Sequence, residues 1–149
     1  GYLFESYRLD FFNKHIPNIR FIQENQSCSR YGVLRGLHFQ KKPYEQSKLI
    51  RVLDGKIQDV VVDLRKDSKT YKQYFSIILS SENQKQLFIP KGFAHGFLTL
   101  SKKAVISYKM DEYYNSNYDS GIKYNDEEIG VQWDLDREKI ILSDKDINL

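Results

Sequence analysis

The 149 residues suit one ordinary domain, in which about two-thirds of the unfolded surface can be buried without disulfide or metal staples. The 23 basic and 20 acidic side chains are scattered along the chain, so a net charge of +3 excludes the concentrated basic stripe of a nucleic-acid binder yet tolerates a small anionic ligand. No apolar run approaches the ~18 residues of a membrane span, residues 1–30 lack a signal-peptide pattern, and the lone Cys28 fits a reducing, cytoplasmic setting.

Eleven Tyr and nine Phe, against few Ala and Leu, favour strands over a helical bundle. Residues 1–7 (GYLFESY) read as the middle of a strand and 8–15 as a brief helix. Residues 19–24 and 32–39 read as strands. In KLIRVLDGKIQDVVVDLR (48–65), two β-branched runs flank Asp54-Gly55, a dipeptide suited to a tight hairpin turn because both positions tolerate positive φ. Further strands are expected at 73–80, 86–90, 95–100 and 104–110, with short helices at 81–85 and in the last few residues. There is no linker, low-complexity tract or repeat, so 1–149 reads as a single domain. Many short strands closed by turn residues predict an all-β sandwich or jelly roll with short peripheral helices.

Histidine is scarce, so its three positions are informative. His15 lies in a polar stretch and reads as a surface residue. His38 sits in VLRGLHFQ, and His95 in IPKGFAHGF. Pro90-x-Gly92-x-x-His95 is the second short signature of the cupin jelly roll. The first signature of metal-binding cupins needs a second His two positions on, where this chain has Gln40. Two imidazoles without a carboxylate or thiolate make a poor metal site, so no metal is expected. A single His kept without metal suits proton transfer, given a carboxylate to orient it. Asp59, Asp63, Asp144 and Asp146 are the candidates. Lys48 on a strand is costly unless it meets an anion, and Tyr108 in AVISYKM reads either as a core aromatic or as a site residue.

The blocks FIQENQSCS, GVLRGLHFQ, PYEQSKLIRVLDGKIQDVVVDLRKDS, SENQKQLFIPKGFAHGFLTLS, YKMDEYYN and ILSDKD, in this order, resemble the dTDP-4-dehydrorhamnose 3,5-epimerase family. The resemblance implies a cupin-type jelly roll, a homodimer without metal or cofactor, acting on a dTDP-4-keto-6-deoxy sugar in deoxysugar biosynthesis for surface polysaccharide. By the same resemblance His38 is the general base, Asp146 its acidic partner, Tyr108 the general acid, and Lys48 the cation near the keto oxygen. Gln23, Asn25, Arg35, Glu5 and His95 fall on nucleotide- and phosphate-binding positions, and Lys145 on a further ligand contact. Asp119 stands where the family usually has Glu. The family's first strand, with Asp-x-Arg just ahead of the position of Gly1, is expected to be missing or to lie outside these residues.

This set suits inversion next to a ketone, because hydrogens at C3 and C5 of a 4-keto sugar are acidic through enolate formation. A base on one face, an acid on the other and a cation at the oxygen complete the requirement. The alternatives are an epimerase acting at C3 or C5 alone, and a non-catalytic sugar-nucleotide-binding jelly roll. The latter predicts loss of at least one of His38, Asp146, Tyr108 and Lys48, and all four are present.

Overall fold

In the computed structural model, which describes residues 1–149, the β-branched and aromatic runs become nine strands. They are β1 (Gln23–Arg30), β2 (Leu34–Gln40), β3 (Lys48–Asp54), β4 (Lys56–Asp63), β5 (Tyr74–Ser80), β6 (Gln86–Ile89), β7 (Phe93–Thr99), β8 (Lys103–Met110) and β9 (Asp119–Gly121). Helix α1 (Leu9–His15) precedes them and α2 (Asp144–Ile147) follows. Two antiparallel sheets, ordered β1-β8-β3-β6 and β5-β4-β7-β2-β9, face each other as the expected jelly roll.

Alternation along the strands sends Ile50, Val52, Ala104 and Ile106 of the first sheet against Ile57, Val61, Leu79 and Phe97 of the second, and all eight are buried. Each large aliphatic side chain buried there stabilises by about 1.5–3 kcal/mol. The outer face of the five-stranded sheet carries Leu37, Val60, Val62 and Ala94, covered by Ile122, Ile129, Val131 and Trp133. An aromatic cluster of Tyr7, Phe12 and Phe21 packs on Phe88 from the outer side of the other sheet.

Four sequence expectations are corrected. Asp54-Gly55 is not a hairpin turn: β3 and β4 belong to different sheets, and the chain turns a corner between layers. Gly55 has φ +86°, and a Cβ there would lie 2.1 Å from the Lys103 carbonyl oxygen. Positive φ holds at Gly55 and not at Asp54, and a turn dipeptide does not say whether its flanking strands pair with each other. Residues 1–7 form no strand, since none of their backbone groups takes a backbone partner. The strand expected at 19–24 begins at Gln23; Phe21 was aromatic packing, not ladder. Residues 81–85 are a turn, because the Asn83 carboxamide oxygen accepts from the Ser80 and Lys85 amides and so competes with helix formation.

Candidate active site

At one end of the sandwich the inward rows turn from aliphatic to polar. On β3 the inward series Val52, Ile50 continues to Lys48; on β8 the series Ala104, Ile106 continues to Tyr108. Asn25 of β1 and Ile50 of β3 flank Tyr108 across the ladder, and the Asn25 Nδ2 donates to Tyr108 Oη at 3.4 Å. Loss of water around Lys48 pulls its ammonium down to about 8, against the opposing pull of the Asp59 and Asp119 carboxylates.

The facing wall comes from β2 and β7, where His38 and His95 are cross-strand neighbours. Gly36 makes that approach possible. Its φ is +114°, and a Cβ would fall 2.6 Å from the His95 carbonyl oxygen and 2.7 Å from Gly96 Cα. His38 Nε2 lies 2.6 Å from Asp146 Oδ1, off the line of a straight N–H hydrogen bond, so the contact is chiefly electrostatic. Asp146 is held independently. Ser143, the N-cap of α2, donates from Oγ to Asp146 Oδ2 at 2.6 Å, and the Gly36 amide donates to Oδ1 at 3.2 Å. Burial lowers the His38 pKa from its ordinary value more than the Asp146 charge raises it, which keeps the imidazole neutral and able to accept a proton. The second histidine has its own carboxylate, with His95 Nε2 3.0 Å from Asp59 Oδ2 in the buried interior.

Between the walls lies a cleft of two lobes. A lobe of about 410 Å³ is lined by Arg35, His38, Lys48, His95, Tyr108 and Asp146, among others. Its neighbour, about 270 Å³, shares His38, Lys48, Tyr108 and Lys145 and adds Asn25, Tyr114 and Asp119. Lys145 of α2 pairs with Asp119 of β9, and Tyr114 Oη donates to the same carboxylate at 3.0 Å. The Arg35 Nε donates to Ser29 Oγ at 3.0 Å, which leaves the remaining guanidinium donors toward the lobe.

The structure thus gathers His38, Asp146, Tyr108, Lys48, Arg35, His95, Asn25, Asp119 and Lys145 around one cleft. Gln23 stands just behind it, donating to Asn25 Oδ1 at 3.1 Å and accepting from the Tyr114 amide at 3.0 Å. Glu5 lines a separate groove with Arg8, Phe11 and Phe12. His15 is a surface residue on α1, edge-on to Phe11. Sequence reasoning overlooked Tyr114, although it lies in the YKMDEYYN block. It also overlooked Ser143, which the Ser-x-x-Asp capping pattern ahead of Asp146 signals, and the glutamines that fix the 112–115 loop. Of these, Gln40 donates to the Tyr44 and Tyr113 carbonyls and accepts from the Asn115 amide, and Gln46 donates to the Glu112 carbonyl.

Comparison with known proteins gives a consistent result. A family model described as dTDP-4-dehydrorhamnose 3,5-epimerase matches residues 1–149. A dTDP-4-dehydrorhamnose 3,5-epimerase of Methanothermobacter thermautotrophicus is 49% identical over 150 residues, covering 99% of this chain and 80% of that protein. The crystal structure of the Bacillus anthracis enzyme of the same name, with TDP and PPi bound, is 50% identical with a TM-score of 0.92 over 95% of this chain and 81% of its own. A dTDP-6-deoxy-D-glucose-3,5-epimerase from Legionella pneumophila, in complex with dTDP-4-keto-L-rhamnose, is 41% identical with a TM-score of 0.94 over 99% of this chain and 78% of its own.

Proposed function

The chain belongs to the dTDP-4-dehydrorhamnose 3,5-epimerase family, and from that premise we propose that its cleft converts dTDP-4-dehydro-6-deoxyglucose to dTDP-4-dehydro-L-rhamnose by inverting C3 and C5. The observation that carries this reading is that a neutral histidine on one sheet and a tyrosine on the other face a single cavity that also holds a desolvated lysine. His38 Nδ1, which has no protein partner, takes the proton from the carbon beside the ketone, while Asp146 stabilises the imidazolium that forms. Negative charge then moves to the C4 oxygen, where the Lys48 ammonium stabilises it by about 3 kcal/mol in a water-poor site. Tyr108 returns a proton to the opposite face, and its phenolate and the His38 imidazolium reset through solvent. The same cycle at the other carbon completes the product.

In this reading the larger lobe holds the sugar, with Arg35 on the diphosphate because its planar fork matches phosphate oxygens. The smaller lobe offers the half-exposed Tyr114 ring for the base, with Asn25, Asp119 and Lys145 as hydrogen-bonding groups. Residues 1–12 expose Tyr2, Leu3, Phe4, Leu9 and Phe11, and a second copy of the chain is the proposed cover, giving a homodimer. No helix is long and apolar enough to cross a membrane, and the unpaired Cys28 suits a cytoplasmic enzyme.

Incubation with dTDP-4-dehydro-6-deoxyglucose in deuterated water, followed by NMR, tests the proposal. Deuterium at C3 and C5 supports it. Label at one carbon identifies a mono-epimerase, and label at neither removes the substrate assignment.

A further inference from the structure

The inward residues of β1 are Asn25, Ser27 and Ser29, in register with Tyr108, Ile106 and Ala104 of β8. The two outer members of this row are occupied: Asn25 donates to Tyr108, and Ser29 accepts from Arg35. The middle member is not. Ser27 Oγ is buried without a partner although the residue lines the larger lobe, and the strand opposite presents only the aliphatic Ile106. A buried hydroxyl with nothing to bond destabilises the free protein, and such a group at a cavity wall is explained when the ligand completes it.

We propose that Ser27 is a specificity-determining residue that hydrogen-bonds the C2 hydroxyl of the substrate sugar. The inference rests on the proposed function, and two arguments select C2. Order along the wall is the first. Arg35, beside Ser29, is assigned to the diphosphate on C1, and Tyr108, beside Asn25, to proton return at C3 and C5. Ser27 lies between them, as C2 lies between C1 and C3. Stereochemistry is the second. With C4 a ketone and C6 deoxygenated, only C2 and C3 carry free ring hydroxyls. C3 inverts, so its hydroxyl changes direction during turnover. C2 keeps its configuration, so a fixed side chain can hold that hydroxyl from substrate to product.

The test compares wild type and Ser27→Ala on dTDP-4-dehydro-6-deoxyglucose and on its 2-deoxy analogue, reading kcat/KM. Removing either partner should lower kcat/KM by about 10- to 100-fold, the scale of one hydrogen bond, and removing both should cost no more than removing one. Should Ser27→Ala fold poorly, Ser27→Cys keeps the shape with a weak donor and gives the same reading. Losses that multiply, or a Ser27 variant with wild-type activity on the parent sugar, overturn the assignment while leaving the epimerase intact. A wild-type enzyme inactive on the parent sugar overturns it together with the proposed function.

Discussion

His95 and Asp59 sit on the neighbouring strands β7 and β4, joined by a hydrogen bond that the sheet itself builds, with Asp59 wholly buried. His38 is the cross-strand neighbour of His95, yet its carboxylate arrives from α2 at the far end of the chain. The imidazole of His38 is 27% exposed, against 9% for His95, and its contact with Asp146 is off-axis. The same two side chains are thus used in two ways. A pair fixed by the sheet ladder holds position and places negative charge near Lys48. A pair assembled from separate elements leaves one ring nitrogen open to the cleft, which proton transfer requires.

This contrast is broken most directly by matched substitutions. His38→Asn should reduce kcat by about 10²- to 10⁴-fold or more with the fold intact, because it removes the proposed general base from a partly open position. His95→Asn should instead destabilise the protein by about 3 kcal/mol, since it strands the buried Asp59 carboxylate, and should act more on KM than on kcat. Thermal unfolding beside steady-state kinetics separates the two. Equal kcat losses would remove the distinction between the pairs.

Tyr108→Phe sharpens the comparison by removing the proposed acid while keeping both histidine pairs. Its ring still fills its place against the core. Product formation should fall by about 10²-fold, whereas exchange of a sugar hydrogen for deuterium should continue, because His38 returns solvent-derived deuterons to the face it deprotonated. Exchange and inversion lost together would argue against separate base and acid.

The pH profile is a smaller lever, about tenfold per unit on each limb. The proposed mechanism needs His38 neutral, so kcat/KM should fall on acidification only below the ordinary histidine range, since burial lowers this pKa. It also needs Lys48 charged, so activity should fall as pH rises through about 8. Asp146→Asn removes the charge that raises the His38 pKa, and the acid limb should move further down. Asp59→Asn should leave that limb in place and shift the alkaline limb downward, because Asp59 opposes the desolvation of Lys48.

Much of this architecture was legible because period-two alternation marks strands, and short strands with turn residues mark a jelly roll. His38 and Lys48 stood out in the sequence as a scarce imidazole and a costly strand lysine, whereas their roles, and that of Tyr108, came from the resemblance to the epimerase family. Pairing was not legible. Nothing in Asp54-Gly55 says that β3 and β4 part into different layers, because partner choice depends on surfaces distant in sequence. The strand expected at residues 1–7 failed for the same reason, since that segment finds no ladder within the chain. The glutamines under the 112–115 loop were invisible because each acts on backbone groups far along the chain, which local spacing cannot show.

Those glutamines supply the mildest test. Tyr114 and Asp119 line the smaller lobe alone, and the loop that presents Tyr114 is fixed by Gln40 and Gln46, which line the same lobe. Gln40 is a poor choice for probing it, because its carboxamide satisfies three backbone groups and its loss orphans all of them. Gln46 makes a single bond, from Nε2 to the Glu112 carbonyl at 2.8 Å. Gln46→Met keeps the length and volume of the side chain and removes only that bond, with about 1 kcal/mol expected in stability. If the loop matters by presenting Tyr114 to the nucleoside, KM should rise about threefold with kcat unchanged, because ground and transition states lose the same binding. In a Tyr114→Ala background the Gln46→Met effect on KM should vanish, since the ring it positions is gone. A fall in kcat at unchanged KM would instead mean that the loop supports the proton-transfer wall, and that the two lobes are not separable into binding and chemistry.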